Sequence, residues 1–258
     1  MIEVRDLVKQ YKAVRALDGL SFKVGRGQIF GLLGPNGAGK TTTLKILCGM
    51  IPASSGEAFV GGHSIKDEPI QVKRIIGLVP ETAAVYEELT GSEYMELIGN
   101  LRMIDSTVVT ERVHHFTKFL DLDEQDLGRQ IGSYSRGMWQ KLLIITALLH
   151  NPEVVFMDEA LSGLDANVAL KIKELLRMLK QQGKTFVFSS HVLDQIERIC
   201  DRIAILFKGR LLACGTVEEI MRETEQPTLE LAFHSLTSTE DLSKTTSDFL
   251  KELEGQKL

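Results

Sequence analysis

Along the chain, apolar positions alternate between two textures. Short β-rich runs punctuated by glycine open it: "IEVRDLVKQY", "LSFKV", "QIFGLLG" and "SGEAFVGG" each read as a strand. Between the last two lies "TTTLKILCGM", where Leu44, Ile46 and Leu47 suit a helix packed on a sheet. From about Val85 to Leu127 the strand texture stops, and "EYMELIGNLRMI" and "ERVHHFTKFLDL" carry helical spacing. It returns after Ser135. A helix through "MWQKLLIITALLH" precedes the strand "VVFM". The amphipathic helix "ANVALKIKELLRMLKQQG" ends at Gly183, a helix-terminating residue. The strand "TFVFSS", the helix "VLDQIERIC" and two strands joined at Lys208-Gly209 follow. Strands alternating with helices predict an α/β fold with a largely parallel sheet. From about Glu225 onward the pattern is short and polar, which suggests a small appendage or a partly mobile tail.

"VVFMDEALSGLD" poses the first chemical question. Four apolar residues, a strand buried on both faces, end in adjacent carboxylates, Asp158 and Glu159. Either both turn into solvent at the strand end, or something cationic sits there, because two neighbouring charges repel and resist desolvation.

"GPNGAGKT" bears on the choice. Gly34, Pro35, Asn36, Gly37, Ala38, Gly39, Lys40 and Thr41 fit G-x-x-x-x-G-K-[ST], between a predicted strand and a predicted helix. Glycines let successive N–H groups turn inward around phosphates, and the helix that follows adds its positive end. Lys40 is placed for the β- and γ-phosphates and Thr41 for Mg²⁺. A phosphate loop of this kind draws an acid from the end of a neighbouring strand. Asp158 is then a metal ligand, and Glu159 accepts a proton from the water attacking the γ-phosphate.

Several further motifs follow in order. "YSRGMWQK" spans Tyr134 to Lys141, "SGLD" spans Ser162 to Asp165, "FSSH" ends at His191, and "IGLVPE" ends at Glu81. With the phosphate loop they make the chain resemble the ATP-binding subunit of an ABC (ATP-binding cassette) transporter, over roughly residues 1–220. The resemblance implies a RecA-like P-loop NTPase core, about 1–84 and 136–220, with an N-terminal antiparallel β subdomain. It implies an inserted helical subdomain at about 85–135, leaving 221–258 as the appendage. Tyr11 occupies the position that stacks on adenine, and Thr42 follows Thr41 along the nucleotide. Glu81 stands where the family usually has glutamine and can still reach Mg²⁺ or water through oxygen. His191 matches the histidine that contacts the γ-phosphate. Ser135 and Gly137, at a helix start suited to an anion, are implied to meet the γ-phosphate held by a second cassette paired head to tail. The catalytic set so implied is Lys40, Glu159 and His191, with Thr41, Glu81 and Asp158 for the metal.

The implied activity is Mg²⁺-dependent ATP hydrolysis driving transport, in the export direction. "TLELAFHSLT" resembles a segment that follows the core in exporter-type subunits. The implied partners are a second cassette and an integral membrane permease, with the chain peripheral at the cytoplasmic face. The rival expectation is a soluble ABC ATPase, or an ATP-dependent regulatory switch, with no permease. A net charge of −5 and a pI near 5.8 speak against nucleic acid as a partner. No apolar run approaches the roughly 20 residues that span a bilayer, and the first residues lack a signal-peptide core. Cys48, Cys200 and Cys214 have no metal-type spacing and read as reduced core thiols. His114 and His115 read as surface residues, and Trp139 as packing.

Overall fold

The computed structural model describes residues 1–82 and 85–238. The part of the predicted tail beyond 238 lies outside the described residues.

Two sheets organise the chain. The first is antiparallel, with β1 (Ile2–Tyr11), β2 (Val14–Val24), β4 (Ser55–Val60) and β5 (His63–Ser64) in the order β2-β1-β4-β5. The second contains β3 (Ile29–Leu33), β6 (Ile76–Val79), β7 (Val154–Asp158), β8 (Thr185–Ser190), β9 (Arg202–Phe207) and β10 (Arg210–Gly215). Its order is β10-β9-β3-β8-β7-β6, parallel throughout except for the β9–β10 hairpin. That hairpin turns at Lys208 and Gly209, both at positive φ, the two-residue turn that matches strand twist.

Alternation explains why β3, β7 and β8 read as unbroken apolar runs. Along β7, Val155 and Met157 join one core, while Val154 and Phe156 join another. In β8, Phe186 and Phe188 face the first core and Val187 the second. Each strand is therefore buried on both faces. The second core lies toward α1 (Lys40–Leu47) and the antiparallel sheet, where Phe22 stacks on Phe30 at 5.3 Å. The first lies under α6 (Arg136–Leu148) and α7 (Ala166–Gln181).

Helix ends follow local chemistry. α3 (Gly91–Leu101) begins with a reciprocal Thr90–Glu93 capping box, and the Asp165 carboxylate accepts from Val168 N at the start of α7. α7 stops where Gly183 takes φ +88°. Between β6 and β7, α3, α4 (Ser106–Phe119) and the short α5 (Glu124–Leu127) form the helical layer. His114 and His115 are exposed on α4, each near a glutamate, and Trp139 packs half-buried against the first core.

Several elements depart from the pattern reading, among them β5, α2 (Pro69–Ile75), edge strand β6 and a helix at Val217–Glu223. β6 holds four residues before Pro80, too few to show alternation, and its pairing with β7 supplies what local sequence does not. Toward the carboxyl end, α8 (Leu193–Ile199) and α9 (Val217–Glu223) precede α10 (Leu229–Thr237). α10 buries Leu229 and Ala232 in the first core, so "TLELAFHSLT" is packed rather than loosely appended. Of the cysteines, Cys48 is buried, whereas Cys200 and Cys214 are half-buried thiols.

Candidate functional site

Four parallel strands deliver their carboxyl ends to one edge of the sheet. Gly34 follows β3, Asp158 ends β7, His191 follows β8, and Glu81 stands two residues past β6. In open α/β sheets that edge is where ligands bind.

The loop after β3 is built by glycine. A side chain on Gly34 would meet the Leu206 carbonyl at 2.4 Å, and Gly39, at φ +107°, leaves no room beside Leu17 and Ala16. Gly209 N donates to the Ala38 carbonyl at 3.1 Å, so the β9–β10 turn supports the loop from behind. α1 begins with no side-chain cap and no acid in its first turn, which leaves its initial N–H groups for an anion. Lys40 folds back over this loop, Nζ donating to the carbonyls of Gly34 (2.6 Å) and Pro35 (3.3 Å). Burial pushes its pKa below the ordinary lysine value, and the charges of Glu159, Asp158 and Glu81 oppose that shift.

The adjacent acids part company at the strand end. Asp158 continues the alternation of Val154 and Phe156, so it lies buried on the α1 side of the sheet. It sits in register with Ser189, whose hydroxyl donates to its carboxylate. Glu159 takes φ +49°, which breaks the strand direction. Its carboxylate stands 2.8 Å from His191 Nδ1, 3.4 Å from Ser190 Oγ and 4.0 Å from Lys40 Nζ. Lys40, Glu159 and His191 thus meet at one point. The imidazole donates through Nδ1 when that nitrogen carries the proton, fixing its tautomer toward Glu159.

An open groove of about 680 Å³ runs over the loop. Pro35 to Thr42 line it, with Tyr11, Glu81 and Glu159. Tyr11 is partly exposed at the end of β1, and Lys9 Nζ lies 5.0 Å from its ring centroid on one face. Ser135 and Gly137 are not among the residues lining this groove. Ser135 caps α6 by accepting from Met138 N at 3.3 Å, and Gly137 lies in the first turn beside Gly163. Two cations on the groove, Arg15 and Lys208, escaped the sequence reading, as did Ser189 under Asp158. No local pattern marks the cations, since only tertiary folding brings β2 and the β9–β10 turn to the loop.

The donor set suits a hard divalent cation: carboxylates at Glu81, Asp158 and Glu159, and a hydroxyl at Thr41. Among the described residues no three His, Cys, Asp or Glu side chains form a ready cage. Mg²⁺ takes one or two protein oxygens and completes its shell with water and substrate phosphates.

Comparison with known proteins gives the family. Residues 17–162 match the family described as ABC transporter. An uncharacterized ABC transporter ATP-binding protein of Synechocystis is 41% identical over 233 residues, covering 87% of this chain and 65% of that protein. The chain thus spans slightly under two thirds of that relative's length. The daunorubicin/doxorubicin resistance ATP-binding protein DrrA of Streptomyces peucetius is 34% identical, covering 95% of this chain and 74% of its own. Among solved structures, one described as the ATP-binding subunit of an ABC transporter superposes with a TM-score of 0.86 at 32% identity, covering 92% of this chain and all of the other. A dimeric, post-hydrolysis ATP-binding cassette, MJ0796 bound to ADP and Pi, superposes at 0.78 with 25% identity, covering 84% of this chain and 98% of its own.

Proposed function

The chain belongs to the ABC transporter family as an ATP-binding subunit, and we propose that it hydrolyses ATP to drive a membrane permease in the export direction. The meeting of Lys40, Glu159 and His191 above a phosphate loop carries this reading.

In the proposed cycle, Tyr11 offers its free ring face to adenine, and the loop amides with the start of α1 hold the phosphates. Lys40 exchanges its Gly34 and Pro35 carbonyls for the β- and γ-phosphate oxygens, a trade of weak acceptors for anionic ones. Thr41 and Asp158 would hold Mg²⁺, with Glu81 within its reach, and the ion supplies charge neutralisation on the phosphate oxygens. Ser189 keeps the Asp158 carboxylate oriented. Glu159 accepts the proton of the attacking water. His191 holds that carboxylate before nucleotide arrives and donates to the γ-phosphate afterwards. Ser135 and Gly137 lie off their own groove, which supports their service to a second cassette paired head to tail.

The permease contact is supported by a second groove, of about 770 Å³, floored by Cys48, Ile76, Leu78 and Ile104. Met50, Ile70, Leu101 and Met103 stand exposed around it, a concentration of large apolar side chains that solvent alone does not favour. No helix among the described residues is long and apolar enough to cross a membrane. In this reading the permease chooses the exported cargo. The LnrL relative of Bacillus subtilis, a linearmycin resistance ATP-binding protein, supports the export direction alongside DrrA.

Glu159→Gln tests the reading. Phosphate release should fall at least a hundredfold while ATP still binds, and the ATP-held variant should capture a polytopic membrane protein from native membranes. Near-normal hydrolysis removes Glu159 as the base. Capture of soluble partners alone, from extracts with intact membrane proteins, points to an ATPase with no permease.

A further inference from the structure

Arg136 is out of place by simple electrostatics. It is the first residue of α6, where the helix presents its positive end and a cation is disfavoured. Among the described residues no carboxylate lies within ion-pair distance of it. Its guanidinium instead reaches back across the loop that follows Glu159, and Nη2 donates to Ser162 Oγ at 2.9 Å. The side chain lies along Gly163, where a Cβ would stand 2.9–3.1 Å from Nε, Cδ and Cγ of Arg136. Gly163 is at φ +83° and bare on that side, so the arginine fills the space a side chain would take.

One turn further along the same helix face, Gln140 makes a second bond to the same loop. Its buried amide donates to the Ala160 carbonyl at 2.8 Å. α6 therefore grips residues 160–163 at two points four residues apart. Ser162 N in turn donates to the Glu159 carbonyl at 3.0 Å, closing a turn directly behind the glutamate. Glu159 occupies the left-handed region, which a non-glycine residue keeps only where its surroundings over-determine it.

We propose that Arg136 and Gln140 form a clasp that positions Glu159 by holding residues 160–163 to α6, with Arg136 as its adjustable half. The proposal rests on the functional reading above and adds a coupling to it. The helix that carries the clasp also begins at Ser135, the residue assigned to the partner cassette's nucleotide. A displacement of the α6 start by that nucleotide is transmitted through Arg136 and Ser162 to the loop behind Glu159 of the same chain. Arg136 touches no reacting atom in this scheme; it is a positioning residue.

The test uses Arg136→Ala, Ser162→Ala, the double variant and Ser162→Thr in the full chain. Steady-state hydrolysis is read beside equilibrium ATP binding and amide hydrogen exchange of the 160–163 segment without nucleotide. Each alanine variant should lower kcat about fivefold or more, with the ATP dissociation constant within twofold of wild type. The double variant should be no worse than either single one, because both remove the same bond. Ser162→Thr keeps the hydroxyl and should restore most of kcat. Exchange in 160–163 should rise equally in both alanine variants. Unchanged kcat, additive losses, or losses that follow thermal stability and ATP affinity together would overturn the clasp. If wild-type hydrolysis proves independent of Glu159, the functional reading fails instead. The clasp is then judged by exchange alone, and an unaltered 160–163 segment in Arg136→Ala refutes it.

Discussion

His150 gives the sharpest quantitative expectation, because its two ring nitrogens have opposite fates. Just past α6, Nε2 donates to the Ile76 carbonyl of β6 at 2.8 Å, while Nδ1 is buried with no partner. Charging the ring would require a proton on that orphaned nitrogen. Burial, then the nearby Arg102, with Lys184 and Arg112 behind it, drives the pKa from 6.5 down to about 4. The native state therefore keeps the imidazole neutral over a range in which the unfolded chain takes up a proton. Stability supplied by the neutral ring is complete above pH 6.5 and is lost as pH falls through about 4. At about 1.4 kcal/mol per pH unit the full shift corresponds to about 3 kcal/mol. Water reaches part of the ring, which reduces the expected share to about 1–2 kcal/mol. His150→Gln removes the titration. Urea unfolding of both proteins at pH 7.0, 6.0, 5.0 and 4.5 cancels the carboxylates they share. Relative to the variant, wild type should lose about 1–2 kcal/mol between the first and last of these. With a urea slope of about 2–3 kcal/mol per molar, the midpoint should fall by about half a molar. A difference that stays flat with pH, or a wild type that gains on the variant in acid, would refute the account of the buried nitrogen.

Three other expectations follow from single contacts. Gly39→Ala puts a methyl group 2.6 Å from Leu17 Cδ2 at φ +107°, so the loop must shift; calorimetric titration should show ATP affinity reduced more than tenfold. Ser189→Ala leaves the buried Asp158 carboxylate without its hydroxyl donor, which should cost about 1–3 kcal/mol in chemical unfolding and raise the Mg²⁺ concentration needed for half-maximal hydrolysis. Leu229→Ala opens the core beneath α10, and a loss of about 2–4 kcal/mol should lower Tm by roughly 5–15 °C with ATP affinity unchanged. Unchanged stability there would mean that α10 contributes no core.

What could be read before folding was the chemistry held within short segments. The loop Gly34–Thr41 declares itself because strand, glycines, lysine and helix are contiguous, and the helix start at Ser135 is set by a neighbour three residues away. β7 and β8 were legible as strands since burial on both faces leaves a continuous apolar run. β6 was not, because four residues before a proline carry no period, and what makes them a strand is the register with β7. α10 was underestimated for a related reason. Its helix is ordinary, but its burial depends on α8 and α9 lying alongside.

The acids Asp158 and Glu159 show where the two kinds of information divide. Adjacency in sequence suggested two jobs, yet nothing local said how neighbouring carboxylates would be kept apart. The fold answers with one dihedral and two distant partners. Positive φ at Glu159 ends the strand, Ser189 keeps Asp158 buried on the α1 side, and His191 holds the Glu159 carboxylate over the loop near Lys40. Both partners come from β8 and the residue after it, some thirty positions later in the chain. The α6 side chains that grip the loop beyond Glu159 come from some twenty positions earlier. A left-handed glutamate held from both directions is strained locally and supported only by the tertiary structure. Loosening either support should therefore impair the direction of its carboxylate before it impairs the fold, which is why hydrolysis at intact ATP affinity, rather than stability, is the observable that separates these residues from ordinary packing.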